Sequence, residues 1–194
     1  MSGQPAAGGA GFFWSDRAAW GGRRAPALAL AKLRRASGQP PGTVPSVWPF
    51  YRASGVEGGV SVELHAEHIA LGLFAAHQRV RSDPVHVPGR EFADVLGRLR
   101  VLDPRAAPAL DRRFSAAVTS ATRSELAAHL PSLISRLRRL PKNGFDYDRF
   151  YRDICDWEDP HFLPSIRWRW GAGYFVAKRA GAGPPTGTHF TSLR

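Results

Sequence analysis

A few groupings in this 194-residue chain have residue types that could support catalysis or metal binding. His65, Glu67 and His68 stand in the order His65-Ala66-Glu67-His68 on a stretch with helical spacing. Two histidines three positions apart share a helix face and could share a metal. A zinc hydrolase instead needs its histidines four apart, with the glutamate directly after the first. No clear third ligand follows. Cys155 is the sole cysteine; beside an aromatic stripe it reads as a small buried hydrophobe. Asp146, Asp148, Asp153 and Asp156 cluster, but helix starts and surface pairs account for such aspartates. Gly42-Thr43 lacks the lysine and glycine spacing of a P-loop, and the glycines at 171, 173, 181 and 183 follow no strand. These residues predict no enzyme, no metal site and no cofactor.

The chemistry they do support is the holding of phosphate. Twenty-seven Lys and Arg face sixteen Asp and Glu, a formal charge of +11 and a pI near 11.1. Such an excess implies a polyanionic partner, nucleic acid before an anionic membrane surface. Only Lys32, Lys142 and Lys178 are lysines. A GC-rich genome explains part of that bias; the rest favours planar, bidentate contacts to phosphate. Between Arg105 and Lys142, eight basic residues meet only Asp111 and Glu125, so over half of the excess sits there. By contrast Ser61–Pro104 and Asn143–Ala180 are nearly balanced.

The elements that must position these charges read as helices. Leu126, Leu130, Leu133, Leu137 and Leu140 recur at steps of four and three, which places them on one side of a helix. Arg136, Arg138, Arg139 and Lys142 fall away from that side, so the same helix offers a basic face. Thr122 with Glu125 fits a capping box that starts it near Arg123, and Pro131 on the polar side should kink it. Arg112 and Arg113 precede it. Upstream, Phe12–Trp20 suggests a short helix closed by Gly21 and Gly22. Pro26 opens another whose last turn carries Lys32, Arg34 and Arg35, where helix-end compensation and nucleic-acid contact are equally good explanations. Trp48, Phe50 and Tyr51 beside Pro49 read as a loop anchored to the core. Ser61–Arg81 is a clear helix with Leu64, His68, Leu71, Phe74 or Ala75 and Gln78 on one side, Ile69 and Leu73 widening that side, and Arg79 and Arg81 in its last turn. Glu91–Leu102 is another. Asp146 caps a helix bearing Tyr147, Phe150, Tyr151, Ile154 and Trp157, with Phe145 stapled to Phe150. A final helix carries Ile166, Trp168, Trp170, Tyr174 and Phe175.

No run alternates as a half-buried strand does. The chain therefore reads as all-α, eight or nine short helices in two small bundles. The spacing predicts a disordered N-terminus over 1–11, an N-terminal bundle over 12–102, a C-terminal bundle with a basic face over 103–180, and a disordered tail over 181–194. No apolar run reaches the ~20 residues of a membrane span, and no secretory signal is visible. The lone cysteine suits a reducing cytoplasm.

In order along the chain stand an N-terminal Trp segment, Leu33-Arg34-Arg35-Ala36, Pro49-Phe50-Tyr51-Arg52, Arg112-Arg113-Phe114, Leu137-Arg138-Arg139-Leu140 and Phe145-Asp146-Tyr147-Asp148-Arg149. Asp156-Trp157 and the aromatic final helix close the series. This series resembles the CasB family, the small subunit of the type I-E CRISPR surveillance complex Cascade, over about Phe12 to Val176. The resemblance implies an all-helical, non-enzymatic subunit present in two copies. Its implied partners are crRNA, target DNA with the displaced single strand, the backbone and large subunits, and a second copy of itself. It implies that Arg34, Arg35, Arg123, Arg138 and Arg139 contact nucleic acid. Charge placement adds Arg79, Arg81, Arg112, Arg113, Arg136 and Lys142.

Two other readings fit the charge. A free-standing helical DNA-binding regulator would need a recognition helix with base-reading Asn or Gln near its start. Gln4, Gln39, Gln78 and Asn143 are the only amides, mostly outside helices. A pure scaffold would turn its basic face to acidic proteins.

Overall fold

A computed structural model describes residues 11–16, 20, 25–53, 59–79 and 81–176. Helices α1 (Ala27–Ala36), α2 (Val62–Gln78), α3 (Phe92–Leu102), α4 (Ala107–Thr119), α5 (Arg123–Leu137), α6 (Tyr147–Cys155) and α7 (Leu163–Phe175) follow in order. Short 3-10 turns lie at Pro45–Phe50 and Asp156–Glu158. The fold is all-α among the described residues. One isolated parallel bridge joins His86 to Phe145. It ties the chain leaving α2 to the chain entering α6 through Val87 N–H to Phe145 O at 2.9 Å and Phe145 N–H to Val85 O at 3.0 Å. No described helix is long and apolar enough to cross a membrane. Both termini expected to be disordered lie outside the described residues apart from Gly11. Of the expected first helix, Phe12–Asp16 form a turn, and much of the remainder, with Gly21 and Gly22, also lies outside.

Helix α2 is the axis of the molecule. Ser61 caps it, its Oγ accepting Leu64 N–H at 3.1 Å. The spacing gave one apolar side, yet α2 is buried almost all round, from Leu64 and Ala66 to His77 and Gln78. The reason is crowding: α1, α5 and α6 all pack on it. A helix enclosed on three sides needs apolar or internally bonded residues on each. Gly72 lets α1 approach, since a Cβ there would stand 2.6 Å from Ser37 Cβ.

The remaining helices pair as α3 with α7 and α4 with α5. One apolar cluster runs from Trp14 to Tyr174, continuous across Leu102-Asp103-Pro104. Aromatic rings build much of it. Phe92 contacts Phe150 and Trp170 at 4.8 and 5.1 Å, and Trp170 contacts Trp157 at 5.2 Å. The expected staple holds, with Phe145 edge-on to Phe150 at 5.2 Å. In α7 only Ile166, Trp170 and Tyr174, spaced by four, are buried. Trp168, on the same expected helix, is 76% exposed. Two helical positions are about 200° apart, so burying Trp170 turns Trp168 outward.

Candidate nucleic-acid interface

The α4–α5 pair and the turn after α5 lie in the stretch that holds over half of the excess positive charge. Thr122 Oγ1 accepts Glu125 N–H at 3.1 Å, and Glu125 reaches back to Ala121 N–H at 2.7 Å. This is the expected reciprocal cap, displaced by one residue on the returning arm. All five stripe leucines are buried. Their burial fixes the roll of α5, and the helix passes Pro131 unbroken. It ends at Leu137, so Arg138, Arg139, Leu140 and Lys142 stand on the closing turn and not on the helix body.

Arg112, Arg138, Arg139 and Lys142 are exposed, and Arg113 and Arg136 are half-buried. Burial lowers the pKa of Arg136, and the like charges of Arg113 and Arg139 push it the same way, against Asp103. Arg136 thus stands in the positive field of Arg113 and Arg139. Arg139 meets Asp103 at 3.5 Å with its side chain 64% exposed. A pair this exposed is worth little and yields readily to a stronger anion. Among the described residues no carboxylate pairs with Arg112, Arg113, Arg136, Arg138 or Lys142 within salt-bridge distance.

The other expected contacts lie elsewhere. Arg34 and Arg35 end α1, whose main partners are α2 and the first 3-10 turn. Arg79 is exposed just past α2.

Arg123 departs from the expectation: it is only 5% exposed. Its guanidinium donates to Ile154 O and Cys155 O, both at 2.8 Å, and pairs with Glu158 at 3.0 Å. It closes the carbonyl end of α6, so its charge is spent inside. A cation in the first turn of a helix opposes the macrodipole. That misplacement was the sequence signal that Arg123 answers to another element.

Arg81 is also bonded inward. Its guanidinium donates to Arg138 O, to Leu140 O at 3.0 Å and to Pro141 O at 3.3 Å. Arg90 donates to Gly144 O at 3.3 Å and Lys142 O at 3.5 Å, and Asn143 Nδ2 to Leu137 O at 2.8 Å. Sequence reasoning missed Arg90 and Asn143 in this role, because their acceptors are backbone atoms of a turn.

The groupings that suggested chemistry are used as braces. Buried Glu67 accepts Arg52 N–H at 2.8 Å and Ala53 N–H at 2.7 Å; its carboxyl is raised by burial, which the two amides oppose. His68 Nδ1 meets Tyr51 Oη at 2.6 Å. Burial lowers His65, and Arg123 adds to that. Burial holds His77 down to about 3, so its ring, bonded to Tyr147 Oη at 3.1 Å, is neutral. Burial raises the Cys155 thiol. Ligand atoms of His86, Asp146 and Asp148 do lie within 4.8 Å of one another. Each is already engaged: Asp146 caps α6, Asp148 accepts Trp14 Nε1–H at 2.7 Å, and His86 Nδ1 accepts Tyr147 N–H at 3.1 Å. The amino end of α6 also disfavours a cation there.

A family model for CRISPR-associated protein Cse2 matches residues 29–175. Among solved structures, CasB from Thermobifida fusca is similar at 25% identity and a TM-score of 0.62, over 84% of this chain and 91% of that one. A Cse2-family CRISPR-associated protein from Thermus thermophilus shares the fold at 22% identity and a TM-score of 0.63, over 85% of this chain and 96% of that one. None of the curated proteins matches the chain in sequence. The matched span takes in nearly all of α1 to α7 and the whole basic turn, and the chain belongs to the CRISPR-associated Cse2 family.

Proposed function

We propose that this CRISPR Cascade subunit is the non-catalytic small subunit of a type I-E complex. In that role it stabilises the R-loop of crRNA and target by sequence-independent contacts to the backbones of target and displaced strands. The observation that carries this reading is the set of exposed Arg112, Arg138 and Lys142 and half-buried Arg113 and Arg136, on one helix pair and its closing turn, with which no carboxylate pairs among the described residues. Cations without carboxylate partners are free to pair with an incoming polyanion, and a groove of them tracks phosphates without reading bases. Strand exchange under an RNA guide is nearly balanced in free energy, so modest backbone contacts tip it. Arg34, Arg35 and Arg79 serve as outlying contacts. The partners are crRNA, target DNA with its displaced strand, the backbone and large subunits, and a second copy, in the cytoplasm.

The test is the double substitution R138A/R139A. Both side chains are exposed, so stability should change within about 0.5 kcal/mol. If both touch phosphates of one strand, the slope of log affinity against log salt shrinks by about 1.4, from roughly 0.7 per contact. Assembled complexes should keep their crRNA content while their R-loops dissociate faster. Equal salt slopes and equal R-loop lifetimes in a folded, incorporated variant would remove this turn from the interface.

A further inference from the structure

The densest cation cluster sits at an electrostatically awkward place. The turn 138–142 closes the carboxyl end of α5. That end of a helix presents orphan carbonyls and a partial negative charge, which repels phosphate. One carbonyl of the last turn, and five of the segment that follows it, are nevertheless bonded by side chains from outside the helix. Arg81 takes those of Arg138, Leu140 and Pro141; Arg90 takes those of Lys142 and Gly144; Asn143 takes that of Leu137. The Arg81 main chain is itself held: buried Gln78 donates to Arg81 O at 3.1 Å and Asp83 O at 3.0 Å, and accepts Val85 N–H at 3.0 Å. The clasp is therefore anchored to α2 and does not travel with the turn.

We propose that Arg81 and Arg90 are positioning residues for the nucleic-acid face. They bind the carbonyls of the turn that follows α5, place their own positive charge beside it, and hold it so that Arg138, Arg139 and Lys142 project outward. Arg81, placed among the phosphate contacts by its charge alone, acts through Arg138 and Arg139. Only a guanidinium can do this, because three carbonyls at different angles need a planar fork with several N–H groups. An ammonium carries the same charge but spreads its donors differently. The inference rests on the reading of the turn as the interface.

The experiment is a mutant cycle on the full chain, with a fluorescent oligothymidylate as probe. Affinities are compared for the parent, R81K, R81Q, R138A/R139A and the two triple variants. R81K and R81Q should each weaken binding by about fivefold, from the loss of one hydrogen bond's net worth in the turn. Neither should weaken it further once Arg138 and Arg139 are gone. R81K should keep the parental salt slope, and amide exchange at residues 139–142 should quicken. Arg90→Lys, at the other end of the clasp, should behave alike and guards against a folding defect peculiar to position 81. A direct phosphate contact predicts something different: R81K binds like the parent, and R81Q loses affinity equally in both backgrounds with a smaller slope. That pattern, or R81K and R90K both binding like the parent, overturns the positioning role. If R138A/R139A itself binds like the parent, the functional reading falls and the positioning role with it.

Discussion

Asp146 shows how much one side chain can organise. Its Oδ1 accepts the amides of Asp148 at 3.0 Å and Arg149 at 3.1 Å, and its Oδ2 accepts Gly89 N–H at 2.8 Å. It caps α6 and pins the preceding loop at once. Burial alone would raise its carboxyl; the amides of Gly89, Arg149 and Asp148, with His86 nearby, outweigh that and hold it below the usual aspartate range. A carboxyl with a lowered folded-state pKa adds stability above its unfolded value, about pH 4, and loses it as pH falls through the folded value. Asp146→Ala should therefore cost about 1–2 kcal/mol at neutral pH. That difference should shrink as pH falls below about 4 and through the folded value, as urea unfolding at neutral and at acid pH would show. An equal deficit at both would rule out the ionised cap. This cap was legible in the sequence because its partners lie two and three residues on. The clasp of Arg123 was not, because Ile154, Cys155 and Glu158 are distant in sequence and become neighbours only when α6 packs.

At the level of elements, periodicity located the helices and their caps, and packing decided their faces. The leucine stripe of α5 buries as spaced because one direction is enclosed. The single apolar side read for α2 was too narrow because three helices surround it. Trp168 and Trp170 carry the same ring, and only the roll of α7 separates them. The closing turn was read as helix because Leu140 keeps the stripe's spacing after the backbone has left the helix. Close approach is equally invisible in a sequence, and Gly72 is the clearest case. Gly72→Ala should cost about 1–3 kcal/mol, the range for overpacking a tight contact. The colliding atom is Ser37 Cβ. The second substitution S37G should therefore recover much of the loss in thermal unfolding. Additive effects of the two changes would show that α1 meets α2 differently.

Over the whole molecule, the apolar interior ignores the midpoint of the chain. Helix α3 rests on α7, α2 on α5 and α6, and a single cluster spans them all. Charge follows a different plan, gathered on α4, α5 and the turn. The sequence located over half of the basic excess between Arg105 and Lys142; which cations stay available needed the fold, since Arg123 is buried and Arg81 is bonded to the turn. A core shared in this way should melt as one unit. Far-UV and near-UV circular dichroism should report the same midpoint in urea. A first transition that leaves half the helical signal intact would mean that the halves are independently stable.

Trp168 has an optical consequence. Trp14, Trp157 and Trp170 are each at most 1% exposed, while Trp168 is 76% exposed and Trp48 is 45% exposed. Aqueous quenchers reach the most exposed indoles first, so iodide or acrylamide would dim Trp168 ahead of the interior three. With Trp48→Phe, and Trp20→Phe to remove the half-buried sixth indole, the protein carries a label-free reporter on the outer side of α7. A blue shift and protection from quencher on mixing with another Cascade component would mark that side as covered. Unaltered emission would leave it facing water.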